Sequence, residues 1–277
     1  VGETKKGEEE PKKQQQKTNT KKRQMAVKTR AQTSKELEEG YSAGKRLLDW
    51  ISCLSFIYFF GSNFITTGRY FYHVGVPAEQ YYYAPVAIFL ALLIADIGGG
   101  FAHWGFDTWG TVDVPILGSF IRSFRHHHVD QMAITRHDPI ESNGDNCLAT
   151  LPFLIPQYFM PIIAQPEGTW GFLFTPQAHA FCLALMMCVA ATNQIHKTSH
   201  ELHPSDFSKF LMKYHIIMST EAHRVHHSGD FENSYCICTG WWNVPLDTIR
   251  FWRILEAIVT AFTGAIPRAN DKKVLNK

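Results

Sequence analysis

The sequence carries little net charge, because 27 lysine and arginine residues oppose 25 acidic residues and leave +2 at neutral pH. Nucleic acids are bound by clustered basic side chains that neutralise many phosphates, and so small an excess does not favour such a partner. The sequence also lacks the glycine-rich fingerprint that holds the pyrophosphate of a dinucleotide. We therefore expect neither nucleic acid nor a nicotinamide cofactor to bind this chain.

Cysteine is scarce, and the six cysteines do not form a recognisable framework. They lie mostly in or near apolar stretches, unlike the disulfide pattern of a small secreted domain. Cys236 and Cys238 are one residue too close for the usual zinc-binding spacing, so we expect them to pack in the core. No thiolate accompanies the histidine clusters of the chain, which argues against an iron–sulfur centre.

Large apolar side chains are nearly absent from residues 1–40, which are rich in Lys, Glu, Gln and Thr. Such a segment cannot bury enough apolar surface to offset the entropy lost on ordering. It also lacks the apolar core of a signal peptide. We expect a disordered polar tail over 1–40, a membrane domain over 41–271 and a short C-terminal tail over 272–277.

Four apolar stretches follow, each close to the ~20 residues that a helix needs to cross the bilayer core. They run from about Leu47 to Thr67, Tyr82 to Trp104, Cys147 to Ala164, and Phe172 to Gln194. The third is short and contains Pro152, Pro156 and Pro161, which favours a kinked or re-entrant helix. The predicted fold class is an all-α integral membrane protein with about four transmembrane helices.

Basic residues are distributed unevenly between the connections. The segments 68–81 and 165–171 contain one basic residue, Arg69, whereas the tail, the 105–146 loop and the chain after 196 contain nearly all the others. The positive-inside rule then places both termini and the middle loop in the cytosol. With an even number of spans, the histidine-rich segments gather at one membrane face as a cytosolic cap.

Histidine is abundant, with 14 residues that recur in paired spacings. In HKTSH, His196 and His200 stand one helical turn apart, and AHRVHH (222–227) places three imidazoles on one face of a second helix. The candidate ligands are His103, His127, His128, His137, His196, His200, His223, His226 and His227, with His126 and His215 as further members. Their number predicts two zinc sites or one dinuclear site, and imidazole suits iron as well as zinc.

Several polar residues are predicted to lie around this site. Asp96, His103 and Asp107 share one helical stripe, and Asp96 lies within an apolar span, where an ionisable group requires a partner. Asp107 either binds metal or holds His103. The further candidates are Asp138, Glu141, Asp145 and Asn193, whereas His73 and His179 are assigned to structure and Gly98–Gly100 to close helix packing.

The C-terminal region combines Trp241 and Trp242, a pair suited to the headgroup layer, with an amphipathic helix. Apolar residues from Phe251 to Phe262 follow helical spacing, and Gly264 is a typical terminator. The pattern fits a helix in the membrane interface equally as well as one packed on the metal domain.

Three blocks, GFAHWGFDTWG (100–110), TRHDPIESNGDN (135–146) and NQIHKTSH (193–200), resemble the Kua-type lipid desaturase family. The histidine clusters and spans are similar to the wider superfamily of di-iron membrane desaturases and hydroxylases. The resemblance covers about 41–271 and implies metal ligation by the nine candidate ligands given above. It also implies acidic site members at Asp107, Asp138, Glu141 and Asp145. A family member has Glu at position 126 and His at position 222, which makes His126 a weaker ligand candidate.

The resemblance implies an O2-dependent enzyme with two iron ions that forms the vinyl ether double bond in the O-alkyl chain of plasmanyl ethanolamine phospholipids. It further implies the endoplasmic reticulum membrane as location, and cytochrome b5 and its reductase as electron donors. The alternatives are desaturation of an ordinary acyl chain of a phospholipid, a zinc-binding membrane hydrolase, or a non-catalytic metal-binding membrane protein.

The predicted topology is testable with introduced glycosylation acceptors. An acceptor near residue 75 should be modified, because that connection is expected on the non-cytosolic side. Acceptors near residues 130 and 230 should stay unmodified. Modification at only one of these two positions, or the reverse pattern, contradicts the four-span arrangement.

Overall fold

The computed structural model describes residues 29–75, 82–115, 117–163 and 167–269. Within these ranges the chain is helical and contains no strand. The helices are α1 (Arg30–Glu39), α2 (Ala43–Val74), α3 (Tyr83–Thr108), α4 (Gly118–Val129), α5 (Ala133–Arg136), α6 (Pro139–Phe159), α7 (Pro176–His200), α8 (Asp206–Lys213), α9 (Thr220–His227), α10 (Asn243–Thr248) and α11 (Phe251–Thr263), with a 3-10 turn at Gly171–Phe174.

Three of these helices, α2, α3 and α7, are long and apolar enough to cross a membrane. They coincide with the first, second and fourth predicted stretches, and the prediction of an all-α membrane protein is confirmed. Their outward faces carry exposed apolar residues such as Ile57, Phe64 and Ile88, as lipid-facing surfaces do. Helix α7 begins at Pro176 because the Thr175 side chain caps it and proline fits the first helical position.

Helix α6 covers most of the third predicted stretch but begins at Pro139, eight residues earlier than predicted. Asp138 caps it by accepting hydrogen bonds from the backbone N–H groups of Ile140 and Glu141, so its first turns are polar. It ends at Phe159, and Ala164 lies outside the described residues. Helix α6 packs against α2 and α7 within the bundle, and a fourth membrane crossing stays a prediction.

Ion pairs hold the polar end of α6 against α2. Lys45 lies 2.9 Å from the carboxylate of Asp145 and also contacts Asp49, which is buried and accepts a hydrogen bond from the Tyr41 hydroxyl. Gly144 makes this approach possible, since a Cβ there would collide with the Asp49 side chain. The buried charges are thus paired, as burial requires.

Helices α3 and α7 approach each other through small residues. Ala91, Ala95 and Ala190 are buried, and a Cβ on Gly99 would already touch Thr192. Gly100 is tighter still, because a Cβ there would meet the sulfur of Cys236. Gly99 therefore packs on α7 and Gly100 on Cys236 and Trp252, whereas a Cβ on Gly98 would meet nothing within 4 Å.

The segment from 228 to 242 packs along α3, with contacts from Leu93 to His103, and is fixed by Asp96. The carboxylate accepts hydrogen bonds from the N–H groups of Cys238, Thr239 and Gly240 at 2.8–3.1 Å and from Trp242 at 3.3 Å. These are the partners that its location in a membrane helix requires. Cys236 and Cys238 are buried here, as predicted.

Helix α11 begins at Phe251 and ends at Gly264, which adopts the left-handed conformation expected of a helix terminator. Its Trp252 is buried against Tyr235 and Cys236, so the helix packs on the metal domain. The opposite face exposes Phe262, with Ile254 and Ile258 about half exposed, which leaves an apolar surface suited to the membrane interface. The two roles left open by the sequence are thus compatible.

The predicted disorder of residues 1–40 does not extend to α1, and residues 1–28 lie outside the described residues. Thr29 and Gln32 form a capping box that starts the helix. Ser34 lies 3.1 Å from His126, and the Leu37 carbonyl accepts a hydrogen bond from Arg122. These contacts with α4 compensate for the low apolar content that suggested disorder.

Replacing Asp96 with alanine should destabilise the protein. The change leaves four backbone donors without their acceptor, at a cost of about 1–3 kcal/mol for each that stays buried. The melting temperature in detergent should fall by several degrees, because about 1 kcal/mol shifts it by roughly 2–4 °C at this size. Asp206, which is exposed, provides the control variant Asp206→Ala. Equal melting of the two variants would contradict the anchoring role.

Candidate metal centre

Two groups of metal-ligating side chains meet at one end of the bundle. They come from the C-terminal turns of α3, α4 and α7 and from the short helix α9. Helix C-termini carry partial negative charge, which favours a cation at this position. The first group comprises His127, His196, His200, His223 and His227, and the second comprises His103, Asp107, His128 and His226.

In the first group, five imidazole nitrogens converge within 4.8 Å of one another. The Nε2 atom of His223 lies 2.9 Å from that of His196, 2.8 Å from that of His200 and 3.0 Å from that of His227. For a metal–nitrogen bond of about 2.1 Å, neighbouring ligand atoms are roughly 3.0–3.4 Å apart in octahedral or tetrahedral geometry. The observed separations therefore match those expected of ligands around one ion.

The second group places three imidazoles around one carboxylate. The Asp107 oxygen Oδ2 lies 3.0 Å from Nε2 of His103, 3.4 Å from Nε2 of His128 and 3.5 Å from Nε2 of His226. All four side chains are buried. The groups are adjacent, because His127 and His128 are consecutive on α4, as are His226 and His227 on α9.

Backbone carbonyls fix the orientation of two second-group rings, those of His103 and His226. Nδ1 of His103 donates to the carbonyl of Tyr235 at 3.0 Å, and Nδ1 of His226 donates to the carbonyl of Asn233 at 2.7 Å. A carbonyl only accepts, so Nδ1 carries the proton and Nε2 presents its lone pair to the group. This arrangement of a ligand ring and its outer partner is typical of metal-binding histidine.

Unsatisfied atoms support the assignment. Nε2 of His103, Nε2 of His127 and both carboxylate oxygens of Asp107 are buried without a hydrogen-bond partner among the described residues. Each such group costs about 1–3 kcal/mol if left unpaired. A pair of metal ions satisfies all of them, so the donor set fits two cations.

Protonation states agree with this assignment. Burial lowers the pKa of His127 and His223 well below the usual range for histidine, and neighbouring imidazoles lower it further. Burial lowers the pKa of His128 to about 3, although Asp107 opposes the shift. These rings are neutral at pH 7, which is the form that binds a metal.

His137 lies beside the two groups. Its Nε2 atom is 3.6 Å from Glu141, its ring centre is 5.9 Å from that of His126, and burial lowers its pKa to about 4. It lines a small cavity with Asn193 and two members of the first group. Ligand roles for His137 and His126, and site roles for Glu141 and Asn193, stay predictions.

Other predicted members are placed at a distance from the ligands. Asp138 pairs with Arg46 at 2.6 Å and Asp145 pairs with Lys45, so both fasten α6 to α2. His215 is exposed, has a left-handed backbone conformation, and presents its carbonyl to the indole N–H of Trp241. The structure does not bring these three candidates into either metal group. His73 is exposed at the far end of α2.

Sequence reasoning missed the segment 231–235, which supplies the two carbonyl partners. Phe231 and Ser234 have left-handed backbone conformations that no glycine or asparagine announces. Ser234 is held by Asp247, and the Phe231 ring stacks on His128 with centroids 4.2 Å apart. The polar sequence GDFENS (229–234) indicates a turn, but it does not indicate which histidine rings the backbone carbonyls of this turn contact.

Similarity to known proteins decides the family. A model described as the lipid desaturase domain matches residues 92–270, which include every member of both metal groups. The chain belongs to the lipid desaturase family. The resemblance found in the sequence is thereby confirmed, and the chain is a lipid desaturase by homology rather than a hydrolase.

Among the relatives of this lipid desaturase is plasmanylethanolamine desaturase 1 of Mus musculus, 41% identical over 88% of each chain. Plasmanylethanolamine desaturase of Myxococcus xanthus is 37% identical over 88% of this chain and 82% of its own. Chloroplastic fatty acid desaturase 4 of Arabidopsis thaliana is 28% identical over 66% of this chain and 54% of its own. No solved structure matches the chain.

Substitution should separate ligand histidines from structural ones. Replacing His196 or His227 with alanine removes a first-group donor and should abolish activity while lowering the bound metal, measured by elemental analysis. The protein should still accumulate in the membrane. The exposed His73 supplies the matched control, since His73→Ala should retain most activity and all of the metal. Equal tolerance at all three positions would mean that the clustering is structural.

Proposed function

We propose that this desaturase uses two iron ions and O2 to form the vinyl ether double bond in the O-alkyl chain of plasmanyl ethanolamine phospholipids. The observation that carries the substrate is the 41% and 37% identity, over 88% of the chain, to two enzymes named for it. The relative named as a fatty acid desaturase is 28% identical over 66% of the chain. An ordinary acyl chain of a phospholipid is therefore the second candidate.

The donor set favours iron over zinc. Structural and catalytic zinc sites use three or four protein ligands, whereas the first group presents five imidazoles. Histidine and carboxylate donors, as in the second group, suit iron. His127, His196, His200, His223 and His227 would hold one ion, and His103, Asp107, His128 and His226 the other.

Bound iron would supply the O2-dependent redox chemistry that an unactivated C–H bond requires. The protein's own residues hold and shield this chemistry. The carbonyls of Tyr235 and Asn233 keep two rings in the ligating tautomer. Phe124 packs on His103 and Phe231 stacks on His128, and these rings shield the second group from water.

The direction from which the lipid chain approaches is inferred from the exposure of the ligand side chains. His200 and His227 are the first-group ligands that remain partly exposed, whereas the second group is fully buried. A substrate chain therefore reaches the centre from the side of the first group. Alignment of two adjacent carbons there is the main catalytic contribution left to the protein.

The redox balance requires a partner. Removing two hydrogens from the chain while O2 becomes two waters consumes two additional electrons and two protons. The sequence has no dinucleotide fingerprint, so these electrons come from another protein. We assign this role to cytochrome b5 and its reductase, with the metal centre at the cytosolic face of the endoplasmic reticulum membrane.

The identity of the metal is tested by analysis of an active preparation. Close to two irons and little zinc per chain are expected, because the two groups together present nine donors. Activity should be lost on chelation and return with ferrous iron. Stoichiometric zinc without iron in an active preparation would overturn the di-iron proposal.

The substrate is tested by expression in cells that make alkyl but not alkenyl ether phospholipids. Acid-labile vinyl ether lipid should appear, should require O2, and should be absent with the His196→Ala variant. The His73→Ala variant serves as the active control. A new acyl double bond without vinyl ether would establish the second candidate instead.

A further inference from the structure

Arg268 follows the end of α11, and its side chain is mostly buried. Its guanidinium donates to both carboxylate oxygens of Glu256, at 2.9 and 2.8 Å, as a bidentate pair. Glu256 is itself buried on α11 and also accepts a hydrogen bond from the indole N–H of Trp104 on α3. A charged pair with two parallel hydrogen bonds fixes the orientation of the guanidinium as well as its position.

The same guanidinium reaches the segment that orients the second metal group. It donates to the carboxylate of Glu232 at 3.1 Å and lies 3.4 Å from the hydroxyl of Tyr235. These two residues bracket the turn whose carbonyls accept hydrogen bonds from His103 and His226. The outer side of the turn is therefore tied to a fixed point on α11.

The backbone of Arg268 makes a second link, to α3. Its N–H group donates to the carbonyl of Thr108 at 2.9 Å, and Thr108 directly follows the second-group ligand Asp107. Arg268 has a left-handed backbone conformation, which is uncommon for a residue other than glycine and persists only where the surrounding contacts hold it. One residue thus joins the helix that carries His103 and Asp107 to the turn that orients the His103 ring.

The contacts of Arg268 favour the second metal group over the first. Both rings that the turn holds, those of His103 and His226, belong to the second group. In the part of the chain that the structure describes, the hydrogen bonds of Arg268 go to α3, α11 and the 231–235 segment. None of them goes to α4, α7 or α9, which carry the five first-group ligands.

We propose that Arg268 is a positioning residue for the second metal ion, because it fixes the 231–235 segment against α3 and α11 and so sets the rings of His103 and His226. This inference rests on the proposed two-iron function. An arginine is needed at this place, since a lysine ammonium is a point charge that cannot present two parallel donors to Glu256 while it also donates to Glu232.

Iron binding by the purified full-length protein tests the proposal. Metal-free protein is titrated anaerobically with ferrous iron, and the bound metal is measured by elemental analysis. The wild type should bind two irons per chain. Arg268→Ala should bind one of them roughly 10–100-fold more weakly, the range typical when an outer partner of a metal ligand is lost. The other iron should bind as in the wild type and thereby report that the bundle is folded.

A second substitution assigns the affected site. His200→Ala removes a first-group donor and should leave the second-group iron in place. Adding Arg268→Ala to this variant should weaken the iron that remains. If that iron binds with unchanged affinity in the double variant, Arg268 does not position the second group.

Two further variants decide the question if Arg268→Ala fails to fold. Arg268→Lys keeps the charge, and Glu232→Ala removes a half-exposed carboxylate while leaving the pair with Glu256 intact. Each should weaken the same iron, by less than the loss of the whole guanidinium. Arg224→Ala removes an exposed arginine of α9 beside the ligands and is the control, which should bind both irons unchanged.

The outcomes separate this inference from the proposed function. A wild type that binds no pair of irons would overturn the two-iron function and this inference with it. Two irons in the wild type and unchanged binding of both in the folded Arg268 and Glu232 variants would overturn the positioning role alone. Equal weakening of both irons in those variants would also overturn it, because it would show a general structural role.

Discussion

A buried imidazole cannot reach water, so each of its ring nitrogens needs a partner within the protein or its bound ions. At His103 and His226 the fold meets this constraint by dividing the two nitrogens between different parts of the chain. For His103 and His226, Nε2 faces the metal group while Nδ1 is held by a carbonyl of the 231–235 segment. Helices α10 and α11 hold that segment in position, because Asp247 of α10 bonds Ser234 and Trp252 of α11 packs on Tyr235.

Carboxylates set the segment in place. Asp96 of α3 accepts hydrogen bonds from four backbone N–H groups between Cys238 and Trp242. Asp247 of α10 accepts hydrogen bonds from Ser234. Glu256 is buried on α11 and pairs with Arg268, whose own N–H bonds the last turn of α3 through Thr108. Long helices place the ligands approximately, and these shorter contacts determine the direction in which each ring points.

Local patterns in the sequence were sufficient to predict what depends on helical spacing. The membrane helices, the ligand faces of α7 and α9, and the end of α11 at Gly264 follow from residues within a few turns. Contacts between residues far apart in the sequence could not be predicted from such local patterns. Asp145 was predicted near the metal, yet its pairing with Lys45 across 100 positions left no local signal. The docking of α1 through Ser34 and His126 was missed for the same reason.

The anchoring of the 238–242 segment by Asp96 also orders events during synthesis. The partners of this carboxylate are made more than 140 residues later, after every candidate membrane helix among the described residues has been synthesised. Until then the Asp96 side chain lacks these partners, and the outer partners of His103 and His226 do not exist. The second metal group therefore gains its outer partners only after residues 233–235 have been added, late in the synthesis of the chain.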